Sequence, residues 1–384
     1  MTTAKKKILF VIPTFAIGGI SSSLYSLISC LDRSRIDVSV FCRNWVGPMK
    51  EPFEKCCRLL PENKWLSLFV HKGSFMDRVL CYILGGLRNV LKKIGINIVP
   101  LYSRLGGKQL HFNDYDVLIS FHEDMISNAC YYPAKQKIAW IHCDYSKRLD
   151  VIGKSELEEY LHFNKIVCVS DYARSVFCDI YPSLAARTLF IHNVIDIENI
   201  RNKSNFADTI DERFDQKQFN IVSIGRLDPV KQFSVIPAIA SKIKEISSIP
   251  FKWYIIGGSR GIGTEKTTIE KSIEESHVEN EVILLGEKTN VYPYLKKSDL
   301  YVCTSSSESF PLVINEAKVL GIPVVSNSFP SVKESINEGE DGCITTIEDM
   351  PNIISSFLKK PLSKTFSHID NTESINKFYN LIGL

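Results

Sequence analysis

The 384-residue chain is longer than one hydrophobic core usually grows, so two domains of ordinary size are the natural division. Hydrophobic residues make up 45% of it and charged residues 23%, a globular balance that excludes disorder, and a formal charge of +3 is too small to demand a nucleic acid partner. The eleven cysteines include no C-x-x-C pair, and Cys42, Cys168 and Cys303 stand inside apolar runs, which fits a reducing cytoplasm.

From the amino end, the basic start Met1 to Lys7 leads into an apolar stretch broken at Pro13, without the small-residue cleavage site of a secretory signal. No run reaches the roughly 18 apolar residues that span a bilayer, so a cytoplasmic protein, soluble or resting on a surface, is expected. Short apolar or β-branched runs then alternate with helix-length segments: Ile8 to Ile12, Asp37 to Phe41, Asp116 to Ser120, Lys137 to Ile141, Lys165 to Val169 and Thr188 to Ile191. A second series comprises Asn220 to Ile224, Lys252 to Ile256, Val282 to Leu285, Leu300 to Cys303 and Pro323 to Val325. This alternation predicts two doubly wound parallel sheets, an α/β fold. The polar stretch Asp196 to Lys217 between them reads as an interdomain connection, with a boundary near Asn199 that gives domains 1–198 and 199–365. Open α/β sheets bind ligands beyond the carboxyl ends of their strands, so two facing sheets would share one cleft.

Within the first half, Ser74 to Ile94 carries Met76, Val79, Leu80, Ile83, Leu84, Leu87, Val90, Leu91 and Ile94 at helical spacing, with Arg78, Arg88, Lys92 and Lys93 on the other face. Such a helix either packs its apolar face on the sheet or rests on anionic lipid. Gly85 and Gly86 weaken it in both cases.

Farther on, Gly257-Gly258-Ser259-Arg260-Gly261-Ile262-Gly263 follows a strand, and Tyr292 precedes Lys296 by four residues. The pattern looks like that of short-chain dehydrogenases, but those carry the glycine loop on their first strand, and the chain order here defeats the reading. Glycines that let a backbone turn tightly and approach a neighbour are the simpler account.

The chemistry concentrates after two strands of the second half. Gly225-Arg226-Leu227-Asp228-Pro229-Val230-Lys231 sets two cations five residues apart at the mouth of a strand, a fork and a point charge suited to a diphosphate. Beyond Leu300 to Cys303 runs Thr304 to Ala317, where Glu308 in a polar loop and Glu316 inside a helix opening near Phe310 or Pro311 are separated by seven residues. A helix amino end suits phosphate or sugar oxygens, and an ionised Glu316 can accept from a vicinal diol such as ribose. A solvated ion pair and exposed carboxylates are the bland alternatives.

In this order the motifs resemble the retaining glycosyltransferases of family 4, the glycosyl transferases of group 1, with the GT-B fold of two facing Rossmann-like domains. The resemblance covers nearly the whole chain and rests on Gly18-Gly19, Trp140-Ile141-His142, Val169-Ser170, Asn193-Val194-Ile195-Asp196, Gly225-Arg226-Leu227 with Lys231, and Glu308 to Glu316. It implies that Arg226 and Lys231 hold the donor diphosphate, Glu316 the ribose and Glu308 the transferred sugar. Gly225, Gly286 and the amides around Phe310, Leu312 and Val313 would complete the donor site. Gly18 and Gly19 would close over the diphosphate, and His142 would stand beside the sugar. Ser309, where many members have glycine, and Pro311, which has no N–H, depart from the commonest pattern. Residues 366–384 would form a helix returning to the first domain.

The resemblance also implies a mechanism without metal or cofactor, in which the leaving phosphate takes the acceptor's proton. The expected activity is transfer of a hexose-type sugar from a uridine diphosphate donor to a glycan, lipid-linked, in surface polysaccharide or capsule synthesis. A nucleotide-sugar epimerase of the same architecture and a silent sugar-nucleotide-binding subunit are the rival readings. The first would need further acid and base residues around the sugar, and the second would leave the donor motif free to decay.

Overall fold

The computed structural model describes residues 4–67, 75–206, 210–214, 217–259, 264–360 and 369–384. Ser74, the side chains of Met76, Arg78 and Leu80, Arg260 to Gly263 and residues 366–368 lie outside the described residues. Two compact units emerge, Met1–Val194 with Asn371–Leu384, and Ile195–Asp370.

The first unit holds β1 (Lys6–Thr14), β2 (Ile36–Asn44), β3 (Arg58–Leu59), β4 (Val117–Ser120), β5 (Gln136–Ile141), β6 (Lys165–Cys168) and β7 (Thr188–Phe190). They form a parallel sheet in the order β3-β2-β1-β4-β5-β6-β7. Ile8, Leu9, Phe10 and Val11 are fully buried, as expected of a central strand covered on both faces. Some helices start at a side-chain cap: Ser170 accepts from Ala173 N–H before Asp171–Ile180, and Asp144 accepts from Ser146 N–H before Tyr145–Ile152. The helix Thr372–Ile382 completes this unit, with Phe378 buried against Phe10 and Trp140 and the Tyr379 hydroxyl accepting Asp32 N–H at 2.9 Å.

The second unit holds β8 (Phe219–Ile224), β9 (Phe251–Ile256), β10 (Val282–Gly286), β11 (Leu300–Cys303), β12 (Val324–Asn327) and β13 (Gly342–Thr345), in the order β10-β9-β8-β11-β12-β13. Inside it, the Trp253 indole donates to Ser223 Oγ at 3.0 Å, and that hydroxyl donates to the Val302 carbonyl at 2.6 Å, so these two buried polar side chains are paired.

Both strand orders reverse direction once, between β1 and β4 and between β8 and β11. Segments leaving adjacent strands at such a point splay apart and open a crevice beyond the carboxyl ends.

One expectation changes, and one open alternative is narrowed. The stretch Asp196 to Lys217 is more than a connection, because Ile200 and Phe214 are buried in the second unit and Phe214 stacks on Tyr254 at 4.5 Å. A few apolar residues among the charges carry that packing. The helix Phe75–Lys93 does not pack its apolar face inward: Val79, Ile83, Leu87, Val90 and Ile94 are exposed. Among the described residues, no helix is long and apolar enough to cross a membrane.

Candidate functional site

At the reversal point of the second sheet, the segments after β8 and β11 are held by their own backbones. Gly225 N–H donates to the Ile256 carbonyl at 3.0 Å, and Leu227 N–H to the Gly258 carbonyl at 3.1 Å. A Cβ on Gly257 would stand 1.7 Å from the Gly225 carbonyl oxygen, so the glycine loop has a structural task there. Gly286, left-handed at φ +74°, ties the end of β10 to the same loop through its carbonyl, which accepts Gly257 N–H at 3.0 Å. The supposed dehydrogenase pair separates: the Tyr292 hydroxyl donates to Glu316, whereas Lys296 Nζ donates to Asn205 Oδ1.

Arg226 is exposed and pairs with Asp228 at 3.1 Å, and Asp228 Oδ1 accepts Val230 N–H to shape the turn that brings Lys231 back. The side chain of Lys231 passes over Gly225 and donates to Glu308 Oε1. Burial alone would lower the Lys231 pKa, but the Glu308 carboxylate outweighs it and the net shift is upward, so the ammonium persists. Glu308 is fixed from three sides: Ser305 Oγ donates to its Oε1 at 2.7 Å, Ser331 Oγ donates to its carbonyl at 2.6 Å, and Asn327 anchors the Ser305 carbonyl at 3.0 Å.

The helix Leu312–Val319 begins after Pro311 with no side-chain cap. Phe310, Leu312 and Val313 are part-buried against the core of the unit, and Asn315 is pinned by the Pro311 carbonyl and Ser335. Glu316, on the second turn, receives the Tyr292 hydroxyl at 3.3 Å. Its pKa is pushed up to about 7 by burial, with the Tyr292 hydrogen bond and Lys203 opposing. Gly225, Arg226, Lys231, Glu308 and Glu316 thus converge at one end of one sheet.

Gly18, Gly19 and His142 belong to the first unit, beyond β1 and β5. Gly19 opens the helix Gly19–Cys30, whose Ser23 donates to Asn193 Oδ1 at 2.5 Å. The backbone N–H of His142 and that of Cys143 both donate to Glu123 Oε1, the latter at 2.9 Å. The His142 ring lies against Phe121, and its Nε2 is buried without a partner among the described residues. Burial lowers the pKa of His142 to about 4 against the pull of Glu123, so the ring is neutral at neutral pH. Burial raises the Glu123 pKa, but His122, His142 and the backbone N–H groups outweigh it and hold the carboxylate ionised. Arg148 braces this corner, reaching Glu156 at 2.8 Å, Asp124 at 3.0 Å and the Glu123 carbonyl at 3.3 Å.

Glu123 and Tyr292 escaped the sequence reading. Glu123 stands three residues beyond β4, where the carboxyl-end rule points. Tyr292 was drawn into the false pairing with Lys296. Among the described residues, no group of three or more His, Cys, Asp or Glu is arranged to hold a metal ion.

Residues 206–367 match the family model of glycosyl transferases group 1, and residues 17–199 that of glycosyltransferase family 4. The chain belongs to the group 1 glycosyltransferases. This group 1 glycosyltransferase is 29% identical over 134 residues to N-acetyl-alpha-D-glucosaminyl L-malate synthase of Bacillus anthracis, covering 35% of this chain. It is 27% identical over 160 residues, 41% of this chain, to N-acetylgalactosamine-N,N'-diacetylbacillosaminyl-diphospho-undecaprenol 4-alpha-N-acetylgalactosaminyltransferase of Campylobacter jejuni. The chain spans 33% and 40% of the lengths of these two relatives. Among solved structures, Anabaena HepE in complex with UDP-glucose superposes with a TM-score of 0.71 at 17% identity, covering 98% of this chain and 99% of that one. The two Rossmann-like domains are those of the GT-B fold.

Proposed function

We propose that this group 1 glycosyltransferase moves a hexose-type sugar from a uridine diphosphate donor to a hydroxyl of a lipid-linked glycan, with retention, in surface polysaccharide or capsule synthesis. The observation that carries the reading is the convergence of Arg226, Lys231, Glu308 and Glu316 at the reversal point of the second sheet. The complex of HepE with UDP-glucose supports the donor, and the diphospho-undecaprenol in the Campylobacter jejuni relative's name supports the acceptor. Such an acceptor places the enzyme peripherally on the cytoplasmic face of a membrane.

In this reading Arg226 forks onto the diphosphate and Lys231 adds a point charge, with Gly225 leaving room for the approach. The N–H groups of Leu312 and Val313 and the helix dipole stabilise the charge on the departing phosphate, whereas Pro311 contributes no donor. These groups carry the neutralisation without a metal ion. Glu316 accepts from the ribose hydroxyls, and Phe310 and Gly286 border the nucleotide. As the bond from the anomeric carbon to phosphate oxygen breaks, the acceptor oxygen bonds to that carbon on the same face and its proton passes to the leaving phosphate. Glu308, locked by Lys231 and Ser305, orients the sugar hydroxyls rather than attacking. In the first unit, His142 is assigned to a sugar hydroxyl through neutral Nε2, and Gly18 and Gly19 to phosphate.

The test is nucleoside diphosphate release from a panel of sugar nucleotides, with membrane extract as acceptor source, for the wild type, Glu316→Ala and Arg226→Ala. Release that needs the extract and both side chains upholds transfer; release equal in all three proteins rejects the donor site.

A further inference from the structure

The helices Phe75–Lys93 and Val99–Gln109 carry apolar surface that their own unit leaves in water. At 100° per residue, Val79, Ile83, Leu87, Val90 and Ile94 fall on one stripe. All five are exposed, Ile83 to 59% and Ile94 to 67%. The half-buried side holds Leu84, Leu91 and Arg88, and the guanidinium of Arg88 interacts with the Tyr102 hydroxyl. The helix therefore lies on its unit by a mixed face and turns its most apolar face outward. A solvated helix is arranged the other way, so the stripe marks an interaction surface.

The occupant follows from charge. On the next helix, exposed Leu101 and Leu105 share a side with exposed Arg104 and Lys108. From Arg78 to Asn113 the sequence contains no Asp or Glu, while Arg88, Lys92, Lys93, Arg104 and Lys108 are cations. A second copy laid symmetrically on this surface would set like charges together. An anionic lipid surface offers acyl chains to the stripe and phosphates to the lysines. Tyr82, 85% exposed, is amphipathic and suited to the headgroup boundary.

We propose that these two helices dock the enzyme on an anionic phospholipid bilayer, with the stripe at the boundary of headgroups and chains and Lys92, Lys93, Arg104 and Lys108 at the phosphates. The docking deepens the acceptor half of the function proposed above and is independent of the donor chemistry.

The test is co-sedimentation of the full chain with vesicles of phosphatidylglycerol and phosphatidylcholine, against phosphatidylcholine alone. Binding is expected only with phosphatidylglycerol and weakens as salt rises. Lys92→Ala with Lys93→Ala lowers the affinity about fivefold per cation, and Ile83→Glu with Leu87→Glu removes binding. Because these side chains are exposed, thermal melting of both variants stays at the wild-type value. Uridine diphosphate titrated into the same proteins reports on the donor reading alone. Absence of binding to phosphatidylglycerol vesicles, binding unchanged in Ile83→Glu with Leu87→Glu, or a wild-type dimer that this variant dissociates overturns the proposal.

Discussion

The Tyr292 hydroxyl points at the Glu316 carboxylate from 3.3 Å, linking the helix Tyr292–Lys297 to the helix Leu312–Val319. Both groups are shifted upward by burial, Glu316 to about 7. Folding therefore favours the protonated Glu316, and between its ordinary pKa of about 4.5 and 7 the native state binds more protons than the unfolded one. This contribution to stability is full below that window and is lost as pH rises through it. Glu316→Gln should flatten the fall in melting temperature between pH 5 and pH 8, and a slope equal to wild type would refute the assignment.

A ribose diol donates its hydrogen bonds to an ionised carboxylate. Affinity for uridine diphosphate should fall about tenfold per pH unit below 7 in the wild type, and titration calorimetry of Glu316→Gln should show weaker binding with no such slope.

Lys231 and Glu308 act as a pair. Lys231→Ala removes a cation and leaves Glu308 with Ser305 as its remaining side-chain donor, so turnover should drop by roughly 10²–10³. The double variant with Glu308→Gln should cost less than the sum of the two single changes. Additive losses in kcat/KM would show that the pair is not coupled.

Glycines at two positions should respond in opposite senses. Gly257→Ala forces a methyl onto the Gly225 carbonyl oxygen and should lower both stability and uridine diphosphate affinity. Gly86→Ala meets nothing within 4 Å on an exposed helix and should stabilise that helix by about 0.5–1 kcal/mol. Denaturant unfolding and hydrogen exchange over Phe75–Lys93 separate the two.

Glu123→Ala strips the acceptor from two part-buried N–H groups and should cost about 1–3 kcal/mol, whereas Glu123→Gln keeps an oxygen in place and should cost less. His142, held at about 4, contributes stability that is present above its unfolded pKa near 6.5 and is lost as pH falls toward 4. An imidazole resonance of His142 titrating near 6.5 would contradict its burial.

Much of this was legible in the chain. Parallel strands buried on both faces read as continuous apolar runs, so the central ones, such as Ile8 to Ile12 and Leu300 to Cys303, were visible. Two edge strands were not: Arg58–Leu59 has only two residues, and Gly342–Thr345 opens with glycine and mixes thiol, apolar and hydroxyl side chains. The placement of Arg226, Lys231, Glu308 and Glu316 at one end of the second sheet could be read because each follows a strand or helix start with a recognisable spacing. The task of Glu123 could not be read even though it follows β4, since it accepts backbone N–H groups from a segment nineteen residues away, and nothing in the side chains of His142 and Cys143 announces that. The amphipathic period of Ser74 to Ile94 was plain, but a period has no sense of direction, and only the exposure of Val79, Ile83, Leu87, Val90 and Ile94 shows which way the apolar face turns.

The stacking of Phe378 on Phe10 sets a schedule for synthesis. Residue 10 leaves the ribosome early, yet its cover arrives only after the whole of Ile195–Asp370 has been translated. Throughout that interval the nascent first sheet keeps an aromatic face around Phe10 and Trp140 uncovered, a natural target for holding chaperones. Ribosome-stalled chains ending before Asn371 should therefore stay protease-sensitive around β1 while the second unit is already closed.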